Sequence, residues 1–167
     1  MRDPDKLVSA FRHMVEDVYQ SVQKAEASVA PTIDTMVNNA KDLARDLYTL
    51  TREESDMLAD VLRRDFRKAR QALHEQEKDI RQWINFDLDL AEDRFIDLVA
   101  RSADKAWLDF RKFETEDHQA SRYRSGEVCN PGNMSCETCN SRLILTEIGQ
   151  ISDCANCGNQ TFFRVIG

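Results

Sequence analysis

Between residues 4 and 50 apolar side chains recur at Leu7, Phe11, Met14, Val18, Val22, Ala25, Val29, Ile33, Met36, Ala40, Leu43, Leu47 and Leu50, always three or four positions apart. That spacing keeps one face of a helix apolar. Asp3 is placed to cap the N-terminus, and Pro4 suits the first turn because its missing N–H costs nothing there. Pro31 interrupts the backbone hydrogen bonding, yet the stripe keeps its phase on both sides. The pattern therefore predicts one bent helix over about 4–49.

A second start follows. Thr51 with Glu54 three residues later forms a capping box, and Leu50 precedes it. The next stripe runs from Leu58, Leu62, Phe66, Ala69 and Leu73 through Ile80, Ile84, Leu88, Phe95 and Leu98 to Phe113. Alternation over Asn85-Phe86-Asp87-Leu88-Asp89-Leu90 marks a break, which predicts helices over about 52–84 and 88–117. With the break the three helices make an antiparallel bundle. Without it they make a long hairpin whose overhang pairs with a second copy, a homodimer through the helices. The stripe is read first as core, and only its remainder as a surface for another helical protein.

Composition divides the chain elsewhere. All 5 glycines and all 5 cysteines of the 167 residues lie at or after Gly126. A 41% apolar, 32% charged composition is that of a soluble protein. The opening Met1-Arg2-Asp3-Pro4-Asp5-Lys6 lacks the apolar run of a secretory signal, and no stretch reaches the ~18 apolar residues of a membrane span. We expect a cytoplasmic protein with no membrane partner. In a reducing compartment closely spaced cysteines point to a metal rather than to disulfides.

Cys136-Glu137-Thr138-Cys139 and Cys154-Ala155-Asn156-Cys157 are two C-x2-C pairs. Each forms a tight knuckle whose backbone amides support the thiolates, and two knuckles supply tetrahedral S4 ligation at about 2.3 Å. Asn140 and Gly158 follow the knuckles at the position that requires positive φ. Arg142 to Glu147 and Thr161 to Ile166 have strand composition, with Gly149 available for a turn. These features predict a zinc ribbon holding one structural Zn2+ on Cys136, Cys139, Cys154 and Cys157, with iron the minor alternative. So small a unit cannot bury enough apolar surface alone, and the metal carries its fold. Four thiolates leave no open coordination position, and His13, His74 and His118 all lie outside the ribbon, so catalytic zinc is not expected. Cys129 has no knuckle partner and is read as a free thiol in the lead-in loop.

The net charge is −7, from 23 basic and 30 acidic residues. In the helical part the signs interleave, as in Arg63-Arg64-Asp65-Phe66-Arg67-Lys68, which reads as a solvated surface. The basic residues from Arg63 to Arg70 suit an ordinary charged face better than a site for an anionic partner.

The sequence resembles a bacterial family of uncharacterised zinc-ribbon-containing proteins, in which a long helical N-terminal region precedes the ribbon. The resemblance rests on Leu50-Thr51-Arg52-Glu53-Glu54, Arg64-Asp65-Phe66, Tyr123-Arg124-Ser125-Gly126-Glu127-Val128, the four knuckle cysteines and Phe163-Arg164. It departs at Ala155, where the family tends to have proline, and in carrying Cys129. It implies zinc and no activity.

The predicted fold is mainly α with a small β metal-binding domain. An antiparallel helical hairpin or three-helix bundle occupies 1–120, a linker 121–135 and the zinc ribbon 136–167. The leading functional expectation is a non-enzymatic module that presents the ribbon to a protein partner, with Ile144, Phe162 and Phe163 as its apolar residues, about half of them core. The second is nucleic-acid binding, against which residues 127–167 hold only Arg142 and Arg164 facing Glu127, Glu137, Glu147 and Asp153. An enzyme ranks third. Before residue 126 there is no glycine for a phosphate loop or nucleophile elbow, and His74-Glu75-Gln76-Glu77 lacks a second histidine because Lys78 stands there. Asp87, Asp89, Glu92 and Asp93 read as helix-start charges. No catalytic or cofactor-binding residue is expected.

Overall fold

The computed structural model describes residues 2–24, 32–76 and 122–165. Three helices come first: α1 (Pro4–Lys24), α2 (Ile33–Tyr48) and α3 (Arg52–Gln76). Asp3 Oδ1 accepts from the Asp5 N–H at 3.1 Å, capping α1 as expected. The capping box of α3 is formed in both directions: the Glu54 N–H donates to Thr51 Oγ1 at 3.1 Å, and the Thr51 N–H to Glu54 Oε2 at 2.9 Å. These reciprocal bonds hold the Glu54 carboxyl below its ordinary value, the Thr51 N–H being the main cause.

The single bent helix expected over 4–49 is instead two helices. α2 has its own N-cap, Thr32, whose hydroxyl accepts from the Thr35 N–H at 3.1 Å. The end of α2 returns to the middle of α1, where the His13 and Tyr48 rings meet edge to face at 5.9 Å. The stripe keeps its phase through Pro31 because both halves face one shared core, and periodicity alone does not distinguish a bend from a reversal. α3 then runs back along α2: Arg63 Nε lies 3.0 Å from Asp34, and Lys41 Nζ 2.9 Å from Asp56. Lys6 beside Glu54 at 3.5 Å puts the starts of α1 and α3 together. The part of the expected 52–84 helix beyond Gln76, the 88–117 helix and the break between them lie outside the described residues.

Leu7, Phe11, Met14, Val18 and Val22 of α1 are buried with Ile33, Met36 and Ala40 of α2 and Leu58, Leu62, Phe66 and Ala69 of α3. α1 also buries Ala10, Val15 and Tyr19, a wider face than a two-helix seam needs, because it touches α2, α3 and the C-terminal unit. On α2 the stripe departs from expectation. Val37 and Ala44 turn inward, whereas Leu43 and Leu47 are 47% and 57% exposed.

The C-terminal unit contains β1 (Arg122–Arg124), β2 (Val128–Cys129), β3 (Gly132–Cys136), β4 (Arg142–Leu145), β5 (Gly149–Gln150) and β6 (Thr161–Val165). Four strands form an antiparallel sheet in the order β1-β6-β3-β4, and β2 pairs with β5. Residues 122–135, the described part of the expected 121–135 linker, are therefore not a linker. They supply the edge strand β1, one strand of the small sheet, and β3 at the centre of the large one. β4 and β6, the strands expected from composition, are not neighbours because β3 lies between them. β3 escapes composition because Gly132-Asn133-Met134-Ser135-Cys136 holds no β-branched residue.

Candidate metal centre and its support

The two knuckles repeat one backbone design. The Cys136 N–H donates to the Ser141 carbonyl at 2.9 Å and the Asn140 N–H to the Cys136 carbonyl at 3.0 Å. In the second knuckle the Cys154 N–H donates to Asn159 at 2.9 Å and the Gly158 N–H to Cys154 at 2.8 Å. Asn140 and Gly158 adopt the expected left-handed conformation, with φ of 58° and 74°.

This brings the sulfurs of Cys136, Cys139, Cys154 and Cys157 within 4.8 Å of one another. Cys136 and Cys157 Sγ are 3.6 Å apart, as are Cys139 and Cys154. A tetrahedral ion with bonds of about 2.3 Å requires sulfurs about 3.8 Å apart, so the donor set fits zinc. The local dipoles favour thiolates. The Cys139 backbone N–H pulls Cys136 below its ordinary value, and the side chains of Asn156 and Ser141 hold Cys139 down at about 5. An N–H from Asn159 likewise favours the Cys157 thiolate, but desolvation and the three facing sulfurs push it up to about 12. Four sulfurs this close oppose one another's charge, and a divalent cation at their centre relieves that opposition. The cluster is a site for one structural zinc ion. It is closed, with every ligand position taken by sulfur.

Cys129 lies outside the cluster. It sits on β2 rather than in an open loop, wholly buried, and burial pushes its thiol far above the usual range. That environment makes it inert rather than reactive.

The metal site is anchored to the helices by residues that the charge pattern concealed. Asp65 of α3 was expected on a solvated surface but is fully buried. Its Oδ1 accepts from the Tyr123 hydroxyl and from Arg164 Nη2, both at 2.8 Å. Its Oδ2 accepts from the Asn130 N–H at 2.8 Å and Asn130 Nδ2 at 2.9 Å. Four donors satisfy the carboxylate. Arg164 also donates to the carbonyls of Pro131 at 2.9 Å and Asn130 at 3.1 Å, and its guanidinium lies 5.2 Å from the Tyr123 ring centre. A side chain at Gly132 would collide with Arg164 Nη1, which is why β3 begins with glycine. Beside this pair Arg64 forks onto Glu127 at 2.9 and 2.6 Å.

The signal for Asp65 is its helical phase. Leu58, Leu62, Asp65 and Ala69 step by four, three and four, which places the acid on the apolar face. Arg164 likewise shares the inward phase of Phe162 on β6. Arg64 and Asp65 from the first of the stretches that carried the resemblance, Tyr123 and Glu127 from the second and Arg164 from the last thus meet around one junction.

A helical unit with a closed four-sulfur ribbon docked on it defines a zinc-ribbon protein. The chain belongs to the family described as zinc-ribbon containing domain, whose model matches residues 20–166. It is similar to the "Uncharacterized protein YbeL" of Escherichia coli K12 and to its counterparts in Escherichia coli O6:H1 and O157:H7. Each is 27% identical over 160 residues, covering 96% of both chains. No solved structure shows a significant match. The family description names a zinc ribbon and no catalytic activity. No helix among the described residues is long and apolar enough to cross a membrane.

Proposed function

We propose that this is a non-enzymatic cytoplasmic adaptor that presents its zinc ribbon to a protein partner, with Cys136, Cys139, Cys154 and Cys157 as the ligands of its structural metal. The observation that carries this reading is the outer face of the large sheet. Ile144 is 56% exposed on the edge strand β4. Asn133 of β3 pairs with both Ile144 and Val165, so these residues share a face with half-buried Phe163, while Phe162 is core on the other side. An apolar edge on a unit whose metal site is closed suits contact rather than chemistry.

The test is affinity capture from native cytosol with the full zinc-loaded chain and with Ile144→Glu. The reading expects one reproducible protein set that the variant loses. Capture of the same set by both chains, or of no reproducible set by either, overturns it. The reading includes a homodimer through the helices, supported by exposed Leu43 and Leu47 one turn apart on α2, and light scattering measures it. Nucleic-acid binding is the weaker reading, because Arg63 and Arg64 are bound to Asp34, Asp60 and Glu127. An RNA or DNA affinity that falls steeply with salt would revive it.

A further inference from the structure

Zinc and the helix junction share the same strands. β3 begins at Gly132, against Arg164, and ends at the ligand Cys136. β6 pairs with it, setting Phe162 opposite Cys136 and Arg164 opposite Met134. The Glu137 N–H, inside the first knuckle, donates to the Thr161 carbonyl at the start of β6 at 3.0 Å. A single residue pair along the ladder, Ser135 with Phe163, therefore separates a metal ligand from the pair that carries the buried guanidinium.

The donors to Asp65 come from three separate pieces of the ribbon: Tyr123 on β1, Asn130 between β2 and β3, and Arg164 on β6. They converge only when those strands are laid side by side, and the metal is what holds so small a sheet together. Conversely, a folded ribbon without α3 leaves Arg164 the Pro131 and Asn130 carbonyls but not the Asp65 carboxylate, and α3 without the ordered ribbon leaves Asp65 none of its four donors. Either half-state forfeits the charge-assisted bonds that close the junction.

We propose that Asp65, which is not a ligand and lies on a helix outside the ribbon, is a positioning residue for zinc: ion binding and closure of the ribbon on α3 are one coupled event. Coupling of this kind is reciprocal. Asp65 raises zinc affinity, and loss of zinc releases the ribbon from the helices.

The full-length chain, its Asp65→Ala and Asp65→Asn variants and an Asp56→Ala control are titrated with Zn2+ against a chromophoric chelator. Asp56 bonds Lys41 within the helical unit and tests whether general loosening of the helices has the same effect. Both Asp65 variants are expected to bind zinc roughly 5- to 150-fold more weakly, the usual span of coupling between sites, with the control within about twofold of the parent. Equal weakening by Asp56→Ala, or unchanged affinity in both Asp65 variants, overturns the proposal. Hydrogen exchange on the parent protein covers the case of a variant that fails to fold. On chelation the Asn130 amide, bonded to Asp65, and the α3 amides around Leu62 to Ala69 are expected to lose protection together with the ribbon strands. Retention of protection at Asn130 and α3 while the knuckles open overturns the proposal as well.

Discussion

The helices and the ribbon are stabilised by different physics. α1, α2 and α3 pack Leu7, Phe11, Met14, Val18, Ile33, Leu58 and Leu62 into a core whose attraction has no direction, and their ends are closed by caps a few residues away in sequence. The ribbon has fewer large apolar side chains. It arranges Tyr123, Met134 and Phe162 around directional contacts, four sulfurs on one side and the Asp65–Arg164 pair on the other. Non-directional burial tolerates gradual change, because a smaller side chain loses area in proportion. A metal site or a buried ion pair does not, because removal of one member strands the rest.

That contrast is sharpest under chelation. Removal of zinc is expected to take away roughly 10–16 kcal/mol of apparent binding energy. The sheet should unfold while α1 and α2 remain, so far-ultraviolet circular dichroism should keep most helical signal as ribbon amides exchange. Simultaneous loss of all helical signal would dissolve the distinction between the two regions.

Arg164→Met comes next. It leaves Asp65 buried without its cation, which costs about 3–5 kcal/mol. Joining it to Asp65→Leu should cost less than the sum of the singles, since no lone charge stays buried, while the Tyr123 hydroxyl and the Asn130 N–H groups lose their acceptor; denaturant midpoints of the four chains measure the cycle. A double variant as unstable as the sum of the singles would show that the pair is not the unit that matters.

In the helical core, Leu62→Ala should cost about 2–5 kcal/mol by thermal or urea unfolding, with zinc stoichiometry retained. The smallest effect is expected at the α3 cap, where Thr51→Ala removes one side-chain acceptor and costs about 1 kcal/mol. Because the capping box lowers the pKa of Glu54, its stabilisation is full above the ordinary carboxylate value of 4.5 and is lost as pH falls through the lower folded value. Stability against pH for Glu54→Gln should show a shallower acid limb, and an identical limb would remove Glu54 from the acid response.

Much of the metal centre was legible because its determinants are local. Two C-x2-C pairs, with Asn140 and Gly158 after them, specify knuckles whatever surrounds them. The Thr51–Glu54 cap was legible for the same reason. The support of the site was less so. Asp65 and Arg164 are 99 residues apart, and each stands among other charges that disguise it as surface. Only their phase, with Leu62 and Phe162 respectively, betrayed an inward direction. The central strand β3 has weak strand composition and owes its place to pairing with β4 and β6 on both sides.

What the sequence by itself determined is therefore the chemistry of the ligands, the amphipathic helical faces and the starts of α1 and α3, all set by interactions within a few residues. Tertiary structure alone decided that the first stripe folds back on itself as α1 and α2, that 122–135 supplies strands to both sheets, and that Asp65 is buried. Those outcomes depend on which distant surface each segment covers, and a buried charge is tolerable only where remote donors converge on it.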